Sequence, residues 1–307
     1  MHLAFLGLGQ IGGSVARAAS IGGFASRVTA WTPSGAGPHA AEGDGIEPMP
    51  SAEAAIRDAD LIVLAAPPLA CLELIDALAG PLGAMIAPDA VITDVASTKV
   101  AIERRARGHG LRFVGGHPMA GRETVGYGAA DPELFRGRPW VIAVPRDGDA
   151  LSRGDADRLI ALVEACAARP IQMTAEEHDA AVAGISHLPL VVSAALVETV
   201  TAAADWPIAA ELAAGGWTSM TRLARGAPAM GAGILATNAA PTAARLRAFR
   251  AVIDDWLRVL DAGALDTDDI EVRLVAMSER LVEDGPHRGV SVSDESGPTD
   301  RLADRRS

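Results

Sequence analysis

The residues best suited to chemistry stand together at Gly115-Gly116-His117-Pro118-Met119-Ala120-Gly121. Glycines permit close backbone approach and unusual φ values. The proline fixes one torsion and removes one donor. The run follows residues 111–114, which read as a short buried strand, so one imidazole stands at a strand end. In an open parallel sheet the crevice beyond the strand ends is where ligands bind. An imidazole there could serve as a general base. The plain alternative is a structural histidine in a tight turn.

A second motif supports the chemical reading. Gly7-Leu8-Gly9-Gln10-Ile11-Gly12 follows an apolar run at residues 2–6 and opens a helical stretch at 13–19. Strand, Gly-x-Gly-x-x-Gly and helix, in that order, is the dinucleotide fingerprint in its required context. The first glycine permits the tight turn, the second lets backbone approach the pyrophosphate, and the third packs helix on strand. The helix N-terminus then faces negative charge. The second strand, residues 27–31, ends at Trp31-Thr32-Pro33-Ser34, where NAD-binding folds usually carry an acid for the ribose. With no carboxylate to repel a 2′-phosphate, and with Thr32 and Ser34 able to hydrogen-bond one, the cofactor is NADP or NAD, with a lean to NADP. Ordinary turn residues are the alternative reading of this tip. Gly7, Gly9, Gln10, Ile11, Gly12, Thr32, Ser34 and Pro67 are the expected cofactor residues.

These residues need a scaffold. Ser51 reads as the N-cap of a helix at 51–59. Residues 60–66 are apolar on both faces, as a central parallel strand should be, and end at Pro67-Pro68. A helix at 69–78 and a strand at 90–95 follow, then a helix from Lys99 to about Arg107. Ser97 is either that helix's N-cap, which the spacing favours, or a hydroxyl aimed into the crevice. Lys99 reads as surface charge. Residues 139–145 and 170–173 are strands around a helix at 155–168. Alternating β and α elements imply a doubly wound sheet through about residue 173. From there the pattern is helical. A capping box at Thr174 and Glu177 starts a helix over 176–185, Ser186-His187-Leu188-Pro189 interrupts it, and a long apolar helix covers 190–203. A short helix at 211–214 is broken by Gly215-Gly216-Trp217. Helices at 219–225, 228–238, 241–262 and 266–282 complete the chain. Several are apolar on more than one face, which suggests burial against another subunit. The expected class is α/β: a Rossmann-type doubly wound sheet at 1–173, an all-α substrate and dimerisation domain at 174–284, and a disordered tail at 285–307.

Bulk properties agree. The chain has 307 residues, enough for two medium domains, with 49% hydrophobic residues and a formal net charge of −12. That charge argues against non-specific binding to nucleic acid or an anionic membrane surface. Cys71 and Cys166 lie in apolar, helix-like segments and read as reduced core residues of a cytoplasmic protein. No signal peptide, no membrane span and no metal site are expected.

Several stretches together resemble the prephenate/arogenate dehydrogenases: GLGQIGGS at 7–14, VITDVASTK at 91–99, VGGHPMAG at 114–121, ISHLP at 185–189 and TRLARGAPAMGAGILATN at 221–238. The resemblance implies oxidative decarboxylation of a cyclohexadienol: hydride leaves the ring for a nicotinamide, a base takes the hydroxyl proton, and CO₂ departs as the ring becomes aromatic. It implies that His117 is the base, that Ser97 hydrogen-bonds beside it, and that Arg222 holds a substrate carboxylate. His187 is implied in the cleft, touching ligand or capping its helix. Glu123 is implied at the mouth, paired with Arg222 or Arg122. Three positions depart from prephenate-using members: Leu190 replaces a second histidine, Gly231 stands where a tryptophan occurs, and Ser219 replaces an aspartate. Arogenate is therefore a serious candidate beside prephenate. The tail is too short for a regulatory ACT domain, and no chorismate mutase segment precedes the fingerprint. The rivals are another two-domain Rossmann reductase, of β-hydroxyacid dehydrogenase or imine reductase type, and a non-catalytic NADP-sensing dimer.

Overall fold

The computed structural model describes residues 1–121, 124–145, 150–262 and 267–283. Glu123 and the tail expected at 285–307 lie outside the described residues. By internal contact the chain divides into Met1–Phe249 and Arg250–Ser307.

The first unit holds eight strands: β1 (His2–Leu6), β2 (Arg27–Trp31), β3 (Glu47–Pro48), β4 (Leu61–Leu64), β5 (Val91–Asp94), β6 (Phe113–Pro118), β7 (Pro139–Ala143) and β8 (Arg169–Met173). They form one sheet in the order β3-β2-β1-β4-β5-β6-β7-β8. Helices α1 (Gln10–Ile21), α2 (Ala36–Ala40), α3 (Ala52–Ile56), α4 (Pro68–Ala79), α5 (Val100–Gly108) and α6 (Ala150–Ala165) connect them. Side chains alternate across a strand, and both faces here are apolar. Leu3, Phe5, Leu61 and Val63 point into one core with Val15, Leu159 and Ile142. Ala4, Leu6, Ile62 and Leu64 point into the other with Ile75, Leu78 and Ile102. Two covered faces explain the unbroken apolar strands in the sequence. Cys71 and Cys166 are free thiols in these cores, and burial raises each to about 12.

One ladder of the sheet departs from the β–α alternation that the sequence suggested. β6 and β7 are antiparallel, with Gly115 opposite Ala143 and His117 opposite Val141. A parallel pair needs a crossover, usually a helix. The described part of this connection offers only a 3₁₀ turn at Tyr127–Ala129. A second difference concerns His117. β6 continues to Pro118, so the Gly-Gly-His-Pro run is strand and not the loop after one. Its glycines serve space rather than unusual φ. A Cβ on Gly116 would lie 2.7 Å from the Asp94 carbonyl oxygen, and one on Gly115 would lie 3.1 Å from Lys99 Cδ.

Helices α7 (Ala175–Val182), α8 (Leu188–Thr201), α9 (Trp206–Glu211), α10 (Gly215–Met220), α11 (Pro228–Thr237), α12 (Ala239–Leu260) and α13 (Thr267–Glu283) follow. The Thr174–Glu177 capping box is formed. The expected break at Ser186–Pro189 is instead a π turn at Ala183–His187, which joins α7 and α8 into one helix from Ala175 to Thr201. Pro189 cannot donate its backbone bond, and a widened turn accommodates that loss. By length and composition alone this 27-residue helix could cross a membrane, a property that core helices of soluble proteins share. Its His178, Asp179 and His187 are, however, buried and bonded to other protein groups. Gly215-Gly216-Trp217 begins α10 rather than breaking a helix, and Pro207, at the start of α9, moves the preceding helix upstream.

Candidate active site

A cavity of about 550 Å³ opens beyond the carboxyl ends of β1, β4, β5 and β6. Here β1 lies between β2 and β4, so the chain runs outward in both directions from it. Ligand crevices form at such switch points. Gly9, Gln10, Ile11 and Gly12 line the cavity from α1, Pro67 from the end of β4, Ser97 from the loop after β5, and His117 from β6. Arg222, in the 3₁₀ turn Arg222–Arg225, lines it from the helical segment. Eight of the sequence-selected residues thus share one space.

The glycine loop is shaped for an anion. Gly7 takes φ +103°, and a Cβ there would lie 2.3 Å from the Ala65 carbonyl oxygen. Gly12 packs so close that its Cβ would fall 2.7 Å from that of Ala65. Gly9, by contrast, has φ −94° and a Cβ there would meet nothing within 4 Å. Gly9 is the N-cap of α1 with no side-chain cap bond. The first-turn amides therefore face the cleft beside open space, which suits a pyrophosphate. Thr32 and Ser34 do not line the cavity. The Thr32 hydroxyl is buried without a hydrogen-bond partner among the described residues, and Ser34 Oγ accepts from the Ala36 amide. Arg27 is held by Glu47 through a forked pair, with the closest contact 2.7 Å.

Ser97 is not the N-cap of α5. That position belongs to Lys99, which makes no side-chain cap bond. The cap comes from afar: Asp179 on α7 accepts from the Lys99 amide at 2.8 Å and the Val100 amide at 2.9 Å. A carboxylate is stabilised at this positive helix end. Ser97 is left on the cavity wall.

Lys99 is not surface charge. Its side chain is fully buried, pairs with the Asp94 carboxylate, and donates to the Gly116 carbonyl at 2.7 Å. Asp94 accepts in turn from the amides of Gly116 and Ala96, both at 3.1 Å. The pair ties the Ser97 loop to the strand carrying His117.

His117 is half-buried, and its Nδ1 lies 2.8 Å from His178 Nε2. His178 Nδ1 lies 2.8 Å from Asp179 Oδ1. Burial first, then the neighbouring His178, Lys99 and His187, hold the His117 pKa well below the ordinary imidazole value. The ring is therefore neutral near pH 7. His187 does not line the cavity. It is buried, its Nδ1 meets Asn238 Nδ2 at 3.0 Å, and Nε2 has no partner among the described residues. Burial lowers its pKa to about 4.

Sequence reading missed Lys99, Asp94, His178, Asp179 and Asn238. One signal was available for two of them. On α7 and the π turn, Ala175, His178, Asp179, Val182, Ala183 and His187 are the buried positions. That is the core stripe of an amphipathic helix, and polar groups on such a stripe need partners.

Two family models match the chain: the prephenate dehydrogenase nucleotide-binding domain over residues 15–171 and the prephenate dehydrogenase dimerization domain over residues 174–276. Prephenate dehydrogenase of Bacillus subtilis is 31% identical over 210 residues, 67% of this chain and 53% of its own length. The chain thus spans about half the length of that relative. Cyclohexadienyl dehydrogenase of Zymomonas mobilis is 31% identical over 248 residues, 78% of this chain and 81% of its own. The crystal structure of Synechocystis arogenate dehydrogenase superposes with TM-score 0.72 at 26% identity, covering 92% of this chain and 98% of that one. The chain belongs to the prephenate dehydrogenase family.

Proposed function

We propose that the protein is an NAD(P)-dependent cyclohexadienyl dehydrogenase, which oxidatively decarboxylates prephenate, arogenate or both. One observation carries this reading: a neutral imidazole, His117, shares a cavity with the glycine cradle of α1, the Ser97 hydroxyl and the Arg222 guanidinium. The residues that would hold the dinucleotide are Gly7, Gly9, Gln10, Ile11, Gly12 and Pro67, with Thr32 and Ser34 towards the ribose. When bound, it supplies the hydride acceptor. The protein's own residues do the rest. His117 takes the ring hydroxyl proton as C4 is oxidised. Ser97 hydrogen-bonds beside the same oxygen. Arg222 holds a substrate carboxylate through its planar fork, with Glu123 beside it at the mouth; His187, buried away from the cavity, meets Asn238 instead. Loss of CO₂ then makes the ring aromatic, and proton transfer by a placed base is typically worth about 10²–10⁴ in rate.

The absence of a carboxylate on β2's tip supports use of NADP at least as well as NAD. Arogenate is favoured by a packing detail. A Cβ on Gly231 would lie 3.6 Å from Leu190 Cδ2, so two of the three departures from prephenate-using members are neighbours. Together they put an aliphatic side chain and a glycine where those members carry a histidine and a tryptophan. We place the dinucleotide domain at 1–173 and the substrate and dimerisation domain at 174–284, in a cytoplasmic homodimer. Exposed Val252, Ile253 and Leu257 on α12, and exposed Val272, Val275 and Leu281 on α13, support the dimer. Steady-state rates with both substrates and both dinucleotides test the proposal. Turnover of neither cyclohexadienol would sink it and favour a sensor or another reductase.

A further inference from the structure

Hydrogen bonding around Asp179 determines which ring nitrogens carry protons. Asp179 Oδ1 accepts from the Lys99 amide and Oδ2 from the Val100 amide, so the group is a carboxylate at a helix N-terminus. A carboxylate only accepts. His178 Nδ1, 2.8 Å from Oδ1, must therefore carry a hydrogen. If His178 carries that one proton only, its Nε2 is bare and His117 Nδ1, 2.8 Å away, donates to it. The nitrogen left bare on His117 is Nε2, on the ring edge away from His178. His117 lines the cavity, and among the described residues Nε2 has no protein partner.

We propose that His178 and Asp179 are positioning residues that set the tautomer of His117, so that Nε2 enters each turnover as a proton acceptor. The inference rests on His117 being the base. In the proton transfer, the substrate O–H bond breaks and an Nε2–H bond forms on His117. The Nδ1–H bond stays in place, donating to His178. The charge His117 gains is stabilised along that hydrogen bond and, one ring further on, by the Asp179 carboxylate. The arrangement differs from a direct histidine–aspartate pair in having a second imidazole between base and carboxylate. The ring edge of His117 also meets His178 at an interplanar angle of 78°, which fixes its rotation about the shared bond. Other charged or titratable groups facing the pair are Lys99, which pairs with Asp94, and His187, held by Asn238.

A double-mutant cycle separates positioning from mere packing. His178→Leu removes the acceptor; His178→Gln keeps one, because its side-chain carbonyl can accept from His117 Nδ1. The expected result for His178→Leu is a fall in kcat of about 10²-fold with KM changed by less than about threefold. His178→Gln should recover a large part of that loss. In a His117→Ala background, His178→Leu should cost nothing further, because effects on one unit are not additive. Each variant is checked for dinucleotide binding and thermal unfolding. An additive loss in the His117→Ala background, or equal losses for Leu and Gln, would overturn the inference and leave the base assignment standing. Full activity in His117→Ala would instead overturn the base assignment, and this inference with it. Should His178→Leu fail to fold, nitrogen NMR of wild-type protein decides the point: His117 must be protonated on Nδ1, and protonation on Nε2 refutes the scheme.

Discussion

Lys99 and Asp94 form an ion pair with neither side chain exposed, and Lys99 also donates to the carbonyl of Gly116, the residue before His117. A buried pair of this kind contributes little net stability compared with apolar packing, but removing one partner strands the other. Lys99→Met leaves a bare carboxylate in the core and should cost about 3–5 kcal/mol in urea unfolding. Lys99→Met with Asp94→Asn removes both charges and keeps an acceptor for a backbone amide, so it should regain part of the loss. A change below about 1 kcal/mol for Lys99→Met would mean that the pair is not sealed from water.

The glycine loop offers a sharper contrast. Gly7→Ala demands φ +103° of a residue with a Cβ and drives that atom to 2.3 Å from the Ala65 carbonyl oxygen. It should destabilise the fold by several kcal/mol, lowering the melting temperature with or without ligand. Gly9→Ala keeps an ordinary φ and meets no protein atom within 4 Å. Its stability should stay within about 0.5 kcal/mol of wild type, while dinucleotide affinity falls at least tenfold because the Cβ occupies the approach to the α1 amides. Calorimetric binding and melting curves on both variants check this; normal affinity in Gly9→Ala would place the pyrophosphate elsewhere.

How much of this was legible beforehand depends on the range of the interaction. Gly7, Gly9 and Gly12 were readable because their spacing is a motif within one strand–turn–helix unit, although Gly7 and Gly12 make their closest approaches to Ala65 at the end of β4. His117 was readable because its neighbours in sequence are also its neighbours in the cleft. The antiparallel β6–β7 ladder was not, since strand patterns carry no direction and the missing crossover helix was the sole clue. Lys99 was misread because nothing in a Ser-Thr-Lys loop shows that Asp94, five residues earlier, folds back beneath it. Asp179 caps a helix 79 residues away, at Val100, and only tertiary packing creates that bond.

Arg222 and His117 should separate binding from chemistry. Arg222→Ala removes a carboxylate partner that ground state and transition state both use, so KM should rise tenfold or more with a smaller effect on kcat. His117→Ala should lower kcat by about 10²–10⁴-fold with dinucleotide binding intact. An unchanged KM in Arg222→Ala would remove that residue from the substrate site.

His187 makes stability sensitive to acid. Its pKa falls from 6.5 in the unfolded chain to about 4 in the fold, chiefly because the buried ring has no water to stabilise its charge. Between those values the unfolded chain binds the proton and the native state does not, so stability is fully present above about pH 6.5 and is lost as pH falls towards 4. At about 1.4 kcal/mol for each pH unit, this group contributes a loss on the order of 3 kcal/mol. His117, lowered in the same direction, adds to it. Urea unfolding of wild type and His187→Gln, each at about pH 7 and about pH 4.5, isolates the His187 part. The wild type should lose more stability over that interval than the variant, because a glutamine side chain takes up no proton there. Equal losses in the two proteins would show that His187 is charged in the native fold and that its buried Nε2 is not a proton-poor site.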